Sequence, residues 1–173
     1  MSFDVVNLYS NIETELGLKA VRYWLNEYRH QIPDRFSNEF ILDALQLVIE
    51  NNVFYFDGCF YSQNKGVAMG TKVAPTYATL VLGYLEKLFY AKDEEKFGTS
   101  MKEQIEQSWK RFLDDCFIIL KDENSIIQTI NEILNSLDPS MKFTMECHDF
   151  SLHFLDVTVN IEDRKSTRLN SSH

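Results

Sequence analysis

The chain has 173 residues, 45 % hydrophobic and 25 % charged, the balance of one globular domain with enough apolar material for a core. Seventeen basic against 26 acidic side chains leave a net charge of −9, which argues against a free-standing nucleic-acid binder, because phosphate contacts need Lys and Arg. No apolar run approaches the ~18 residues of a membrane span, and the first residues show neither a basic nor an apolar leader segment, so neither a spanning helix nor a secretory signal is expected.

Ser2–Val6 reads as a short strand carrying Asp4, after which Tyr9-Ser10-Asn11 turns the chain. Leu16, Ala20, Trp24, Leu25 and Tyr28 recur at helical spacing until Pro33. Ser37 can cap a second helix, whose apolar face is expected to be Phe40, Ile41, Ala44, Leu45 and Val48. Asp57-Gly58 between two aromatic and β-branched runs is a hairpin signal. Gly66–Pro75 is a glycine-containing loop, and Ala74, Ala78, Val81, Leu82, Leu85 and Phe89 line one face of a long helix. Asp93–Ser100 reads as a charged linker before a short helical stretch.

Lys110–Leu120, KRFLDDCFIIL, is two apolar arms joined by a pair of acids. Ile126 to Leu137 repeat at helical spacing, and Asp138-Pro139 stops that helix. Phe143, Met145 and Cys147 alternate as a half-buried strand, and so do Leu155, Val157, Val159 and Ile161. Helices and antiparallel strands mix without regular βαβ alternation. The expected class is α+β, an antiparallel sheet with helices packed on one face. Cys59, Cys116 and Cys147 are odd in number and widely spaced. They suit neither a disulfide framework nor a zinc site, and are expected as reduced, buried thiols of an intracellular protein. Trp24, Phe89 and Trp109 are expected in the core, and His30, His148 and His153 in surface or packing roles.

Residues 163–173, DRKSTRLNSSH, look like the in-frame translation of a sequencing-library adapter; a polar natural tail is the plain alternative. On that account residues 1–162 are the domain and 163–173 a disordered appendage. Without Asp163, Arg164, Lys165 and Arg168 a net +2 is lost and −11 remains. Both ends of the domain would then be truncated.

Asp114-Asp115 carries the chemistry. An ionised carboxylate in an apolar setting must be paired or bind metal. Asp4 sits in another strand, and three carboxylates from two strands could hold two divalent ions for in-line phosphoryl transfer. A solvated β-turn is the bland alternative for the Asp-Asp pair alone.

The segments FDVVNLYSN, GVAMGTKVAP, FLDD, FTME and FLDV, in that order, resemble the motifs of reverse transcriptases. QNKGVAMGTKVAP and FLDV are similar to the Penelope-like retroelement branch in particular. The resemblance spans roughly residues 2–161 and implies a polymerase palm-type sheet. It implies that Asp4, Asp114 and Asp115 are the catalytic, metal-holding residues, taking two Mg2+ ions with Mn2+ as a substitute. Tyr9 would be the steric gate that admits dNTPs. Gly66 and Gly70 would let the backbone approach nucleotide or template, although turn punctuation explains them equally well. Met69 stands where many relatives have Gln, so only packing near the nucleotide carries over. Lys72 would touch phosphate or template, or remain a solvated lysine.

Lys142 is a candidate for protonating pyrophosphate, and Phe154-Leu155-Asp156 for seating the primer. The implied partners are an RNA template, a DNA primer and dNTPs in a full-length parent. The fingers, thumb and GIY-YIG endonuclease of such a parent are expected to be missing. The chain alone is therefore expected to have little activity and weak or no nucleic-acid binding. The competing readings are an RNA-dependent RNA polymerase palm, which Tyr9 disfavours, and a decayed or co-opted retroelement remnant without catalysis, which the three intact acids disfavour.

Overall fold

The structure is a computed structural model that describes residues 1–120, 124–148 and 150–160. In chain order it runs β1 (Ser2–Val5), α1 (Leu8–Asn11), α2 (Thr14–Glu27), a 3-10 turn (Arg29–Gln31), α3 (Asn38–Glu50), β2 (Val53–Phe56) and β3 (Cys59–Ser62). Then follow α4 (Ala74–Phe97), α5 (Thr99–Ser108), β4 (Lys110–Phe112), β5 (Asp115–Phe117), α6 (Asn124–Asn135), β6 (Phe143–Glu146), β7 (Ser151–Phe154) and β8 (Val157–Asn160). This is a mixed α+β fold of six α-helices and small antiparallel sheets among the described residues. No helix among them is long and apolar enough to cross a membrane.

The largest sheet has the order β4-β5-β1-β6, and every pair in it is antiparallel. Strand alternation sorts its side chains. Phe3, Val5, Cys116 and Phe143 are buried, while Asp4 and Thr144 between them are exposed. Ile118 prolongs the buried row beyond β5 by exchanging two 3.1 Å backbone hydrogen bonds with Met1. Beneath that row lies α4, whose buried stripe includes Ala78, Val81, Leu82, Leu85 and Phe89. Trp109 joins helix to sheet, its ring 5.3 Å from Phe89 and 5.6 Å from Phe3. On the far side α2 packs on α4, and the Trp24 indole donates to the Leu80 carbonyl at 2.8 Å.

Four expectations need correction. The charged stretch from Asp93 is no linker: α4 continues through it to Phe97 and stops at Gly98. Lys and Glu are good helix formers, and Glu94 accepts from Thr99 and Lys102 at 3.1 and 2.7 Å, tying the end of α4 to α5. In α3 the cap holds, with Phe40 N–H donating to Ser37 Oγ at 3.0 Å, but the buried face is rotated. Leu42 and Ile49 are buried, Ile41 and Leu45 half-buried, and Phe40, Ala44 and Val48 exposed. ILDALQLVI is apolar on several sides, so periodicity alone could not choose among them. Leu155 belongs to a turn between β7 and β8 and not to a strand. All three cysteines are free, yet only Cys116 is buried; Cys59 and Cys147 are exposed. Ile161 and residues 163–173 lie outside the described residues.

Candidate functional site

The acids are positioned by two strand pairings. In the β4–β5 hairpin Phe112 pairs with Asp115, which leaves Leu113-Asp114 as a two-residue loop. Such loops favour Gly, Asn or Asp where φ is positive, yet Leu113 sits at φ 53. A non-glycine residue there stores about 1–3 kcal/mol of strain. The same Phe-Leu-Asp sequence makes the β7–β8 loop, where Phe154 pairs with Val157 and Leu155 also has φ 53.

Across the β1–β5 ladder Asp4 is the direct partner of Asp115. Residues so paired point to one side of the sheet, and like charges there repel. Burial first, then Asp114 and then Asp4, push the Asp115 carboxyl above its ordinary range. Among the described residues none of the three carboxylates accepts a hydrogen bond or forms an ion pair. By contrast Glu86, on the opposite side of the sheet, is fully engaged. It accepts from Arg111 Nε at 2.7 Å, Arg111 Nη2 at 3.2 Å and Trp109 Nε1 at 2.8 Å. That network ties β4 to α4 and fixes the base of the acidic hairpin.

Asp4 and Asp115 open into a cavity of about 290 Å3, also bounded by Ser2, Thr144, Glu146 and His153. Phe154 and Leu155 form its rim, with the Phe154 ring 5.2 Å from Phe117. His153 Nδ1 is hydrogen-bonded to Thr158 Oγ1 at 2.9 Å. Glu146, Thr144 and His153 were not singled out from sequence as site residues. The signal for the first two was present, since alternation in FTME puts Thr144 and Glu146 on one side of β6. His153 had no such signal, because only the fold of the β7–β8 hairpin brings it there.

The remaining candidates lie elsewhere. Tyr9 is half-buried in α1, and its carbonyl accepts from Val67 N–H at 2.7 Å. Gly66, at φ +75, is pressed against that helix: a Cβ on it would lie 2.6 Å from Ser10 Cα and Tyr9 O. Its close approach is therefore to this chain's own backbone. Gly70 faces open space, and Met69 and Lys72 are exposed. None of these five, nor Asp114, lines the acidic cavity. Lys142 is exposed, and its carbonyl accepts from Val6 N–H at 2.9 Å.

Carboxylates are the donors that Mg2+ and Mn2+ prefer, and on that chemistry the acids fit such ions. Among the described residues, however, no three His, Cys, Asp or Glu side chains stand close enough together to hold one as they are. No protein-family model, no curated protein and no solved structure matches the chain.

Proposed function

We propose that the chain is the palm of an RNA-directed DNA polymerase, similar to those of Penelope-like retroelements, which joins dNTPs to a DNA primer on an RNA template. The observation that carries this is the direct pairing of Asp4 with Asp115, with Asp114 beside them in a strained turn and no partner for any of the three carboxylates among the described residues. Placing like charges opposite one another costs stability, and strain at a turn is tolerated where function uses it.

Asp4, Asp114 and Asp115 would hold two Mg2+ ions, with Mn2+ as a substitute. Bound there, the ions would activate the primer 3′-hydroxyl and offset charge on the triphosphate. The chain's own residues supply position. The contact of Gly66 and Val67 with α1 fixes the helix that carries Tyr9, whose ring would exclude a ribose 2′-hydroxyl. Met69, Gly70 and Lys72, exposed ahead of α4, are free to meet template or triphosphate. The Phe154–Phe117 contact holds the β7–β8 loop at the cavity rim, where it would seat the primer.

The test has two arms. Titrated with Mn2+ and followed by electron paramagnetic resonance, this chain should withdraw the free ion, and Asp4→Asn should weaken binding about tenfold or more. A chain that takes up no Mn2+ would remove the metal site. In a polymerase that contains this segment, Asp114→Ala should slow primer extension on the order of 10³-fold with an unchanged circular dichroism spectrum. Extension at the unmutated rate would refute the assignment. Tyr9→Ala should admit ribonucleotides, and unaltered rejection of them would take Tyr9 out of the gate.

A further inference from the structure

The loop between β4 and β5 is held from the side of the sheet that its carboxylates do not use. Arg111 and Cys116 are direct partners in the β4–β5 ladder, so both point away from Asp115 and toward α4. There they line a small buried cleft with Leu82, Leu85 and Glu86. Arg111 commits Nε and Nη2 to Glu86 and donates its remaining nitrogen, Nη1, to the carbonyl of Leu113 at 3.3 Å. Cys116 Sγ donates to the carbonyl of Asp114, next in the loop, at 3.9 Å. Burial first, and then Glu86, push the Cys116 thiol above its ordinary range, so it stays protonated and able to donate. Both carbonyls of the two-residue loop therefore accept from side chains anchored beneath it.

The anchor is rigid. The side chains of Arg111 and Glu86 are 15 % and 19 % exposed, and a planar guanidinium with its donors in a fixed fork is oriented by every bond it makes. Gly83, just before Glu86 on α4, leaves room for it: a Cβ there would lie 3.3 Å from Trp24 Cζ2 and 3.8 Å from Arg111 Nη2. The β7–β8 hairpin is an internal contrast. Its Phe-Leu-Asp makes the same loop with Leu155 at φ 53, but His153, which stands where Arg111 does, bonds across to Thr158. Among the described residues no side chain donates to the carbonyl of Leu155 or Asp156. The turn itself is thus a product of local sequence. What Arg111 adds is a fixed place for that turn relative to α4.

We propose that Glu86 and Arg111 form a strut, a positioning pair that touches no ion or substrate and holds Asp114 and Asp115 in place from α4 for a divalent cation. This rests on the acidic site proposed above. A loop free to swing must be ordered each time an ion binds, and the entropy of that ordering is subtracted from affinity. Partners behind the residues that hold a metal typically set its affinity by about 10–100-fold. The strut also explains why a charged pair is kept half-buried beside the sheet, where apolar packing would serve stability as well.

Arg111→Lys on the full chain tests this, since lysine keeps a positive charge beside Glu86 but has one nitrogen and cannot also reach Leu113. Amide hydrogen exchange at Asp114 and Asp115 should quicken about tenfold, while Asp156 and Val157 in the other loop and the core amides of α4 keep their rates. The Mn2+ dissociation constant, read by electron paramagnetic resonance, should rise about tenfold. Cys116→Ala, which removes the second donor and little volume, should shift both readings the same way by about threefold, and it decides the matter if Arg111→Lys does not fold. Exchange that quickens equally throughout the chain would make the pair a general stabiliser and overturn the strut. So would unchanged exchange at the acid loop, or a loosened loop that binds Mn2+ as tightly as before. An unmutated chain that takes up no Mn2+ is a different failure: it removes the metal site itself, and the strut's purpose with it.

Discussion

Asp93 is fully buried near the end of α4, and neither of its carboxylate oxygens has a hydrogen-bond partner among the described residues. Burial pushes its pKa up to about 6 from an ordinary 3.8. The fold therefore prefers the neutral acid. The contribution of Asp93 to stability is complete below about pH 4 and declines as the pH rises through 6, a loss of about 3 kcal/mol by pH 7. Asp93→Asn, which cannot ionise, should gain on the native chain by that amount between pH 4 and pH 7 in urea unfolding. A difference that stays flat over this interval would show that Asp93 is partnered or hydrated in solution. Asp115 titrates in the same sense, raised by burial and by Asp114 and Asp4. Its exposure to the cavity makes it accessible to a cation, as Asp93 is not.

At the scale of an element, the acidic hairpin shows how local sequence and register share the work. Phe-Leu-Asp at 112–114 and again at 154–156 yields the same two-residue loop with Leu at φ 53. Leu113 is 41 % exposed, so its side chain holds little of the core. Leu113→Gly should relieve the left-handed strain and stabilise the protein by about 1 kcal/mol, the strain relief less the entropy glycine loses on folding. Chemical denaturation measures this directly. A destabilised variant would mean that Leu113 packs better than its exposure implies. The element scale is also where composition misleads. The charged end of α4 resembled a linker because composition does not register that Glu94 has Lys102 and Thr99 to bind.

For the whole molecule, a charge of −9, with Asp4, Asp114 and Asp115 near one another and unpartnered among the described residues, means self-repulsion in the folded state. Raising NaCl from low to physiological strength should lift the unfolding temperature by about 2–4 °C, as screening worth ~1 kcal/mol does for a chain of this size. Mg2+ at matched ionic strength should add a further rise that Asp4→Asn removes. Equal effects of the two salts would leave screening as the whole explanation. The sequence by itself determined the α+β class, the Asp57-Gly58 turn, the Ser37 cap and the sheet segments that carry Asp4 and Asp115. Each rests on spacing or turn chemistry within about ten residues, which a linear chain displays. Only the tertiary structure decided that Asp4 faces Asp115, that Glu146 and His153 share their cavity, and which side of α3 is buried. Gly17 makes the same point: nothing near it in sequence demands glycine, yet a Cβ there would overlap the Tyr77 hydroxyl at 1.6 Å. Such contacts join residues dozens of positions apart, and strand register and helix packing, which set them, depend on every layer of the core at once.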